Sequence, residues 1–235
     1  MMHKTLIEWT SEAGPQRGYV APATGPVRGG VVVLQEWWGL VPHITSVCDR
    51  FAAAGFTALA PDLYAGEQCT APDAAERMMM QLNIAAATHQ VAAAGGELQA
   101  RLGPGDPPVA VLGFCMGGQL ALHAACTHPK RFAAVVDFYG VHPKVEPPLS
   151  ALEAPVLAHF GKDDAFVPQD TARQLVQALM AAGKQVEAHF YDAGHAFFND
   201  TRPEAYNAPS AASAWQRTLA FLNAHLPSSA APAAP

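Results

Sequence analysis

The sequence predicts an α/β fold in which helices cover both faces of a mostly parallel sheet. Two observations support this prediction: short apolar runs alternate with amphipathic or alanine-rich stretches, and short turns join them. Strands that are buried on both faces are continuous apolar runs, and regular alternation of strands with helices produces parallel sheets. The chain has 235 residues, of which 50% are hydrophobic and 14% are charged. This length and composition fit one domain with a large core, and we expect it over residues 1–226.

The first elements of the chain lead to a buried strand. Residues 5–9 and 18–21 are predicted as the two strands of an N-terminal hairpin. Residues 29–36 are an almost unbroken apolar run and predict a strand buried on both faces. An amphipathic helix is predicted over 43–54 and ends at Gly55, since glycine is frequent just past the end of a helix.

The middle of the chain continues the alternation of strands and helices. Residues 56–60 are predicted as a strand, and one or two Ala- and Met-rich helices follow within 74–94. Residues 108–112 form a short apolar run that predicts a buried strand, and residues 119–125 predict a helix. The next predicted strand covers 133–138.

The last part of the chain repeats the pattern twice. Strands are predicted over 155–160 and 186–191, with a helix over 171–182 between them and a final helix over 208–225. The tail, 227–235, contains only Pro, Ala and Ser, so we expect it to be disordered. Sites in such folds lie outside the carboxyl ends of the strands, and the loops there are expected to carry the chemistry.

A glycine-rich hexapeptide, Gly113-Phe114-Cys115-Met116-Gly117-Gly118, lies between a predicted strand and a predicted helix. It fits the nucleophile elbow, a sharp strand-to-helix turn, with cysteine in the serine position. The glycines are needed because a side chain there would collide with the neighbouring strand and helix. The turn places the sulfur of Cys115 at a helix N-terminus, where the positive end of the dipole favours a thiolate. Cys115 is therefore the predicted nucleophile.

Acidic residues and a histidine follow Cys115 at the ends of later predicted strands. Asp163 and Asp164 come just after the strand at 155–160, and His195 comes after the strand at 186–191. The chain order nucleophile, acid, histidine is that of α/β-hydrolases and differs from the orders in two other serine-protease folds. The spacing alone leaves Asp163 and Asp164 both open as the acid.

Composition and charge exclude several other classes of function. The formal net charge is −6, which gives no basic surface for nucleic acid. The N-terminus lacks the apolar core of a signal peptide and no run is long enough to span a membrane, so we expect a cytoplasmic protein. Cys48, Cys69, Cys115 and Cys126 have no zinc spacing and the histidines form no metal motif. We therefore expect neither a metal nor a cofactor.

Five segments carry a family resemblance. They are Gln35-Glu36-Trp37-Trp38-Gly39, Pro61-Asp62-Leu63-Tyr64, the Cys115 hexapeptide, Asp164-Ala165-Phe166-Val167-Pro168 and Gly194-His195-Ala196-Phe197-Phe198. Together they resemble the dienelactone hydrolase (carboxymethylenebutenolidase) family, which has the α/β-hydrolase fold, and the resemblance covers nearly the whole chain. It implies that a Cys-His-Asp triad hydrolyses an enol-lactone to a maleylacetate-type product through a thioester, in the breakdown of (chloro)catechols.

The resemblance also implies a role for each member of the triad. Cys115 attacks the lactone carbonyl as a thiolate. His195 keeps the thiolate charged, protonates the leaving oxygen and later activates water. Asp164 holds His195 in the right tautomer, and it is preferred to Asp163 because the family acid precedes an x-Phe-Val-Pro stretch.

Two further roles concern the loop after the first long strand. The backbone N–H groups of Trp37 and Met116 are expected to hold the oxyanion. Glu36 ends a strand that is otherwise apolar, and a buried carboxylate needs a partner. Glu36 is either a solvated strand end or, as the resemblance implies, lies against the Cys115 thiol in the resting enzyme and moves when substrate arrives.

The substrate implied by the resemblance carries a free carboxylate, which arginine binds well. Arg77 and Arg202 are the candidates, Trp38 is expected to wall the site, and Tyr64 is expected to cap it. Arg202 comes seven residues after the motif histidine, whereas the best-known family members place an arginine closer, where this chain has Phe198-Asn199. A surface salt bridge is the alternative role for each arginine.

Two other functions stay open from the sequence. One is a generalist carboxylesterase or thioesterase that uses the same triad. The other is a non-enzymatic ligand-binding or redox-responsive protein in which Cys115 senses oxidants. The presence of Asp164 and His195 disfavours the second, because sensing does not need them. The expected partner is a small lactone or ester, with no nucleic acid or membrane, and the expected state is a monomer or a small homo-oligomer.

Overall fold

The computed structural model describes residues 4–226, and the predicted disordered tail at 227–235 lies outside these residues. The strands are β1 (Thr5–Ser11), β2 (Gly14–Ala21), β3 (Gly29–Leu34), β4 (Phe56–Pro61), β5 (Val109–Phe114), β6 (Ala134–Phe138), β7 (Val156–Gly161) and β8 (Val186–Tyr191). The helices are α1 (Pro42–Ala53), α2 (Pro72–Gln81), α3 (Ile84–Leu102), α4 (Met116–Thr127), α5 (Gln169–Ala181) and α6 (Ala208–His225).

One sheet contains all eight of these strands in the order β1-β2-β4-β3-β5-β6-β7-β8. The strands from β3 to β8 run parallel, whereas β1 and β2 form the predicted antiparallel hairpin, with Thr5 opposite Val20. Strand β2 also pairs antiparallel with β4, which attaches the hairpin to the parallel part. The predicted α/β fold is therefore confirmed.

The strands separate two main layers of core. In β3, Val31 and Val33 contribute to a cluster that includes side chains of α1 and α6. The alternate residues, Val32 and Leu34, contribute to a second cluster with α3 and α4. This division follows from the strand geometry, in which successive side chains point to opposite faces. Both faces of the central strands are covered, which is why these strands are apolar at most positions, with Thr57, Asp137 and His159 as buried exceptions.

The elements differ most from the prediction at β2, at α3 and around Cys115. Strand β2 begins at Gly14 rather than at residue 18, and α3 continues to Leu102 rather than ending by residue 94. Strand β5 continues to Phe114 and α4 begins at Met116, so Cys115 alone separates them. The sequence pattern predicted a longer gap because Gly113 and the two glycines after Met116 look like breaks in periodic structure. In the structure these glycines belong to the strand and the helix. Strand β3 ends at Leu34, so Gln35 and Glu36 lie just beyond it.

Two of the remaining cysteines, Cys48 and Cys126, are buried in the core. Cys69 is only partly buried, and its sulfur contacts the sulfur of Met78 at 2.9 Å. Among residues 4–226, no helix combines the length and apolar character needed to cross a membrane.

Candidate active site

Cys115 occupies a strained turn at the carboxyl end of β5. Its φ of 52° and ψ of −122° lie where non-glycine residues are rare, and it is 7% exposed. Its N–H donates to the Phe138 carbonyl at 2.9 Å, and its carbonyl accepts from the Gly118 N–H at 2.9 Å. A Cβ on Gly117 would lie 2.5 Å from the Gln35 carbonyl oxygen, so the close packing of the elbow on β3 requires glycine. These contacts fix the backbone of Cys115 at the turn.

The loop after β7 positions Asp164 and its partner. One carboxylate oxygen, Oδ1, accepts hydrogen bonds from the N–H groups of Phe166 and Val167 at 2.8 and 2.9 Å. The other oxygen, Oδ2, lies 2.8 Å from Nδ1 of His195. Asp163 is exposed and makes no such contact within the described part of the chain. The geometry therefore pairs His195 with Asp164.

His195 lies in the loop beyond β8 and connects Asp164 with Cys115. Burial of the imidazole opposes its charged form, but the hydrogen bond to Asp164 and the facing Cys115 side chain outweigh this effect. The result is a His195 pKa raised from 6.5 to about 10. The ring is also packed 5.0 Å from the ring of Tyr139 and 4.9 Å from the ring of Phe166, measured between centroids. An imidazolium held in this way can stabilise a thiolate and donate a proton.

Glu36 is buried beside the elbow and has one hydrogen-bond partner. It is 2% exposed, and its Oε2 accepts from Nδ2 of Asn199 at 2.8 Å. Its other oxygen, Oε1, is also buried and has no partner among the described residues. Glu36 is therefore not a solvated strand end.

The backbone donors proposed for an oxyanion lie on either side of the elbow. Met116 is the first residue of α4, and Trp37 follows Glu36 in the loop after β3. Within residues 4–226, neither N–H donates a hydrogen bond to a protein acceptor. The first N–H groups of a helix have no partner inside the helix and are suited to anions.

Tyr64 and Met116 form a wall close to Cys115. The Tyr64 hydroxyl lies 3.2 Å from the Met116 sulfur, and the Tyr64 ring is buried. Burial, followed by the charges of Cys69 and Cys115, raises the Tyr64 pKa well above its usual value, so the phenol stays neutral. Tyr64 therefore lies close to Cys115, and its role as a cap over the substrate stays a prediction.

Aromatic side chains line the surface next to His195. The rings of Trp37 and Phe166 lie 6.0 Å apart, and those of Trp37 and Trp38 lie 5.2 Å apart. Phe166 is 59% exposed although it packs on His195. We call Trp37, Trp38 and Phe166 the aromatic rim. Phe166 is exposed and Trp37 and Trp38 are half-buried, so the rim offers apolar surface that suits the aromatic or apolar part of a small molecule.

The two arginines predicted to bind a carboxylate lie in different places. The Arg202 guanidinium lies 5.2 Å from the ring centroid of Trp38 and pairs with Glu204 at 2.8 Å, so it borders the aromatic rim. The Arg77 side chain is 65% exposed on α2 and pairs with Asp73 one turn away at 3.2 Å. Neither guanidinium contacts the residues of the predicted triad in the described structure. Carboxylate binding by either arginine stays a prediction.

Comparisons with known proteins identify the family of this chain. The sequence model of the dienelactone hydrolase family matches residues 16–226. The chain belongs to the dienelactone hydrolase family. It is 31% identical to the protein usf of Aquifex pyrophilus over 230 residues, covering 94% of this chain and 98% of that protein. It is 34% identical to an Escherichia coli K12 protein provisionally named carboxymethylenebutenolidase, covering 80% of this chain and 74% of that protein.

A solved structure extends the likeness to three dimensions. A crystal structure from Klebsiella pneumoniae subsp. pneumoniae MGH 78578, provisionally named a dienelactone hydrolase, is 31% identical and has a TM-score of 0.81. The match covers 94% of this chain and 99% of that chain. The protein is therefore a hydrolase of the dienelactone hydrolase family with the α/β-hydrolase fold.

Two residues near Cys115, Asn199 and Tyr139, were not predicted as site residues from the sequence. Asn199 was noted only as the place where other members carry an arginine, yet it contacts Glu36. Tyr139 is fully buried and lies close to Glu36, Cys115 and Asp164. Its position directly after β6 is a signal that could have indicated it, because the carboxyl ends of parallel strands share one edge of the sheet.

Residues 4–226 contain no group of three or more His, Cys, Asp or Glu side chains arranged to hold a metal.

Proposed function

We propose that this protein hydrolyses the ester bond of a small lactone, of the dienelactone enol-lactone type, or of a related ester through a Cys115-His195-Asp164 triad. The observation that carries the proposal is the position of His195. Its Nδ1 is held 2.8 Å from Asp164 and its ring faces Cys115 on the strained elbow. Acyl transfer by a triad requires a nucleophile that contacts a base, and a base that an acid orients through a hydrogen bond.

In the first step the Cys115 thiolate attacks the carbonyl carbon and a C–S bond forms. The carbonyl oxygen becomes an oxyanion that the N–H groups of Trp37 and Met116 receive. Loss of one such donor typically costs about 2.7–4 kcal/mol of transition-state stabilisation. The C–O bond then breaks, the lactone oxygen leaves and takes its proton from the His195 imidazolium, and a thioester remains on Cys115. An enolate is a stabilised leaving group, so a thiolate suffices to expel it.

The second step hydrolyses the thioester. Neutral His195 removes a proton from water, and the resulting hydroxide bonds to the thioester carbonyl carbon. The C–S bond breaks, which restores the Cys115 thiolate beside the His195 imidazolium. The product leaves as a carboxylic acid, which gives its proton to the solvent and becomes a carboxylate. Asp164 keeps the imidazole oriented through both steps without taking its proton. None of these steps requires a cofactor.

Glu36 is proposed to lie against the Cys115 thiol in the resting enzyme and to move when substrate arrives. Two observations support this proposal. Its Oε1 is buried without a partner among the described residues, and Tyr139 lies near both Glu36 and Cys115. A buried carboxylate oxygen without a partner is costly, and a thiol S–H is a donor that could satisfy it. When Glu36 moves, the thiol proton passes to neutral His195, which gives the thiolate and imidazolium of the first step.

The experiment measures hydrolysis of cis- and trans-dienelactone by the wild-type enzyme and by Cys115→Ala, with Cys126→Ala as a matched control away from the site. We expect activity to be lost only in Cys115→Ala. Mass spectrometry of the wild-type enzyme during turnover should show an acyl group on the Cys115 peptide. Activity that survives in Cys115→Ala would reject the proposal. Absence of hydrolysis together with ordinary iodoacetamide reactivity of Cys115 would favour the redox-responsive alternative.

A second candidate function is a generalist carboxylesterase or thioesterase on the same triad. The exposed aromatic rim and the outward position of Arg77 favour it, because both suit substrates that lack a carboxylate. A panel of aryl esters and thioesters, compared with dienelactone by kcat/KM, distinguishes the two. Comparable efficiencies over the panel would support the generalist, and a large preference for dienelactone would exclude it.

A further inference from the structure

We propose that Asn199 makes this site selective for neutral lactones and esters over substrates that carry a carboxylate near the scissile bond. Asn199 gives the buried Glu36 an uncharged partner, and the nearby His195 imidazolium is already paired with Asp164 and faces Cys115, so it is not free to bind a substrate anion. This inference rests on the proposed function, because it concerns substrate choice at the same Cys115 centre. It ranks dienelactone, which carries a carboxylate, below neutral lactones and esters as a substrate of that centre.

The orientation of the Asn199 amide is determined by Thr201. The Asn199 side chain is 1% exposed, and its Oδ1 accepts from the Thr201 N–H at 3.1 Å and lies 2.7 Å from the Thr201 hydroxyl. A backbone N–H can only donate, so the atom facing Thr201 is the amide oxygen. The NH₂ group therefore faces Glu36, where it donates to Oε2 at 2.8 Å.

The other groups around Glu36 are also neutral. Burial lowers the pKa of His43 despite the nearby charges of Glu36 and Asp200, so this imidazole is uncharged at neutral pH. Burial, followed by the Glu36 and Cys115 charges, raises the pKa of Tyr139 well above its usual value, which keeps the phenol protonated. Within residues 4–226, no Lys or Arg lies within ion-pair distance of Glu36.

This arrangement disfavours an anionic substrate in either charge state of Glu36. An ionised Glu36 repels a substrate carboxylate, and a protonated Glu36 still supplies no positive charge to pair with it. Burying an unpaired carboxylate is costly, whereas a neutral group loses little. The arginine at the aromatic rim, Arg202, already has Glu204 as its partner. A neutral aromatic or apolar substituent can instead pack against the rings of the aromatic rim.

The test compares two esters of equal acyl length, para-nitrophenyl valerate and mono-para-nitrophenyl glutarate, which differ by one terminal carboxylate. We expect the wild-type enzyme to prefer the neutral ester in kcat/KM by at least about tenfold, the factor that 1.4 kcal/mol of like-charge repulsion or unpaired burial produces. Asn199→Lys should shift this ratio at least about tenfold towards the glutarate ester, whereas Asn199→Gln, the neutral control, should not. Arg28→Ala, at the opposite end of β3, controls for the loss of a positive charge far from the site.

Each outcome decides a separate point. Equal or faster hydrolysis of the glutarate ester by the wild type would overturn the inference and leave the proposed function standing. A selective loss of glutarate hydrolysis in Arg77→Ala or Arg202→Ala would also overturn it, because an arginine would then be the anion receptor. Failure to hydrolyse either ester or dienelactone would reject the proposed function instead. If circular dichroism shows that Asn199→Lys does not fold, the wild-type ratio and the two arginine variants decide the result.

Discussion

Oδ2 of Asp164 lies 2.8 Å from Nδ1 of His195, while Oδ1 of the same carboxylate accepts two backbone N–H groups. The backbone of its own loop thus holds the carboxylate through one oxygen, and the other oxygen holds the imidazole. The loops after β7 and β8 also meet through the Lys162–Asp192 ion pair and the packing of Phe166 on the His195 ring. The hydrogen bond from Nδ1 to Asp164 is the contact that orients the imidazole. Its consequences can be measured.

Replacement of Asp164 by Asn should lower kcat by about 10³–10⁴-fold with little change in KM, because the amide favours the wrong imidazole tautomer. Asp163→Asn is the matched control and should retain wild-type activity, since Asp163 is exposed and does not contact His195. Steady-state kinetics on an aryl ester measures both. Equal losses in the two variants would contradict the assignment of Asp164 as the orienting acid.

The raised pKa of His195 predicts how stability depends on pH. A folded-state pKa of about 10, compared with 6.5 for an unperturbed histidine, means that the folded state binds this proton more tightly. This contribution to the free energy of unfolding is fully present below about pH 6.5 and is lost as the pH rises towards about 10. Urea unfolding over this range measures it, and His195→Gln should show a smaller decrease than the wild type.

Cys115→Ala tests the coupling between the thiol and the imidazole. The facing Cys115 side chain raises the pKa of His195, so its removal should move the imidazole titration to lower pH. NMR titration of the His195 ring protons measures the shift. An unchanged titration in Cys115→Ala would show that the two side chains do not interact in solution.

Two glycine-to-alanine substitutions distinguish the effect of close packing on stability from the effect of helix propensity. A Cβ on Gly117 would lie 2.5 Å from the Gln35 carbonyl oxygen, so Gly117→Ala should lower the free energy of unfolding by about 1–3 kcal/mol. Gly96 lies within α3, where the nearest atom to a new Cβ is 3.6 Å away in the Arg131 side chain. Gly96→Ala should therefore raise stability by about 0.5–1 kcal/mol. Urea unfolding that ranks the variants in the reverse order would contradict the proposed packing of the elbow.

Phe166→Ala tests the aromatic rim. The side chain is 59% exposed, so the substitution should change the free energy of unfolding by less than about 0.5 kcal/mol. Loss of an aromatic contact should raise KM for esters of aromatic acids by about 2–10-fold, corresponding to 0.5–1.5 kcal/mol, with a smaller effect on acetate esters. Equal effects on both kinds of ester would mean that Phe166 supports His195 rather than contacting the substrate.

The sequence by itself determined the fold class, the strand-Cys115-helix turn and the chain order of cysteine, acid and histidine. It could do so because these features depend on local patterns: apolar runs for buried strands, glycines at close approaches, and loops at strand ends that share one sheet edge. Strand β8 and helix α6 were predicted with the bounds that the structure shows.

Only the tertiary structure decided which side chains meet across the loops. Asp164 turns inwards to His195, 31 residues away, while its neighbour Asp163 turns to solvent. Asn199 meets Glu36 across 163 residues, and Arg77 pairs with Asp73 on its own helix. The direction of a loop side chain depends on packing and hydrogen bonds with distant elements, and no periodicity along the chain encodes it.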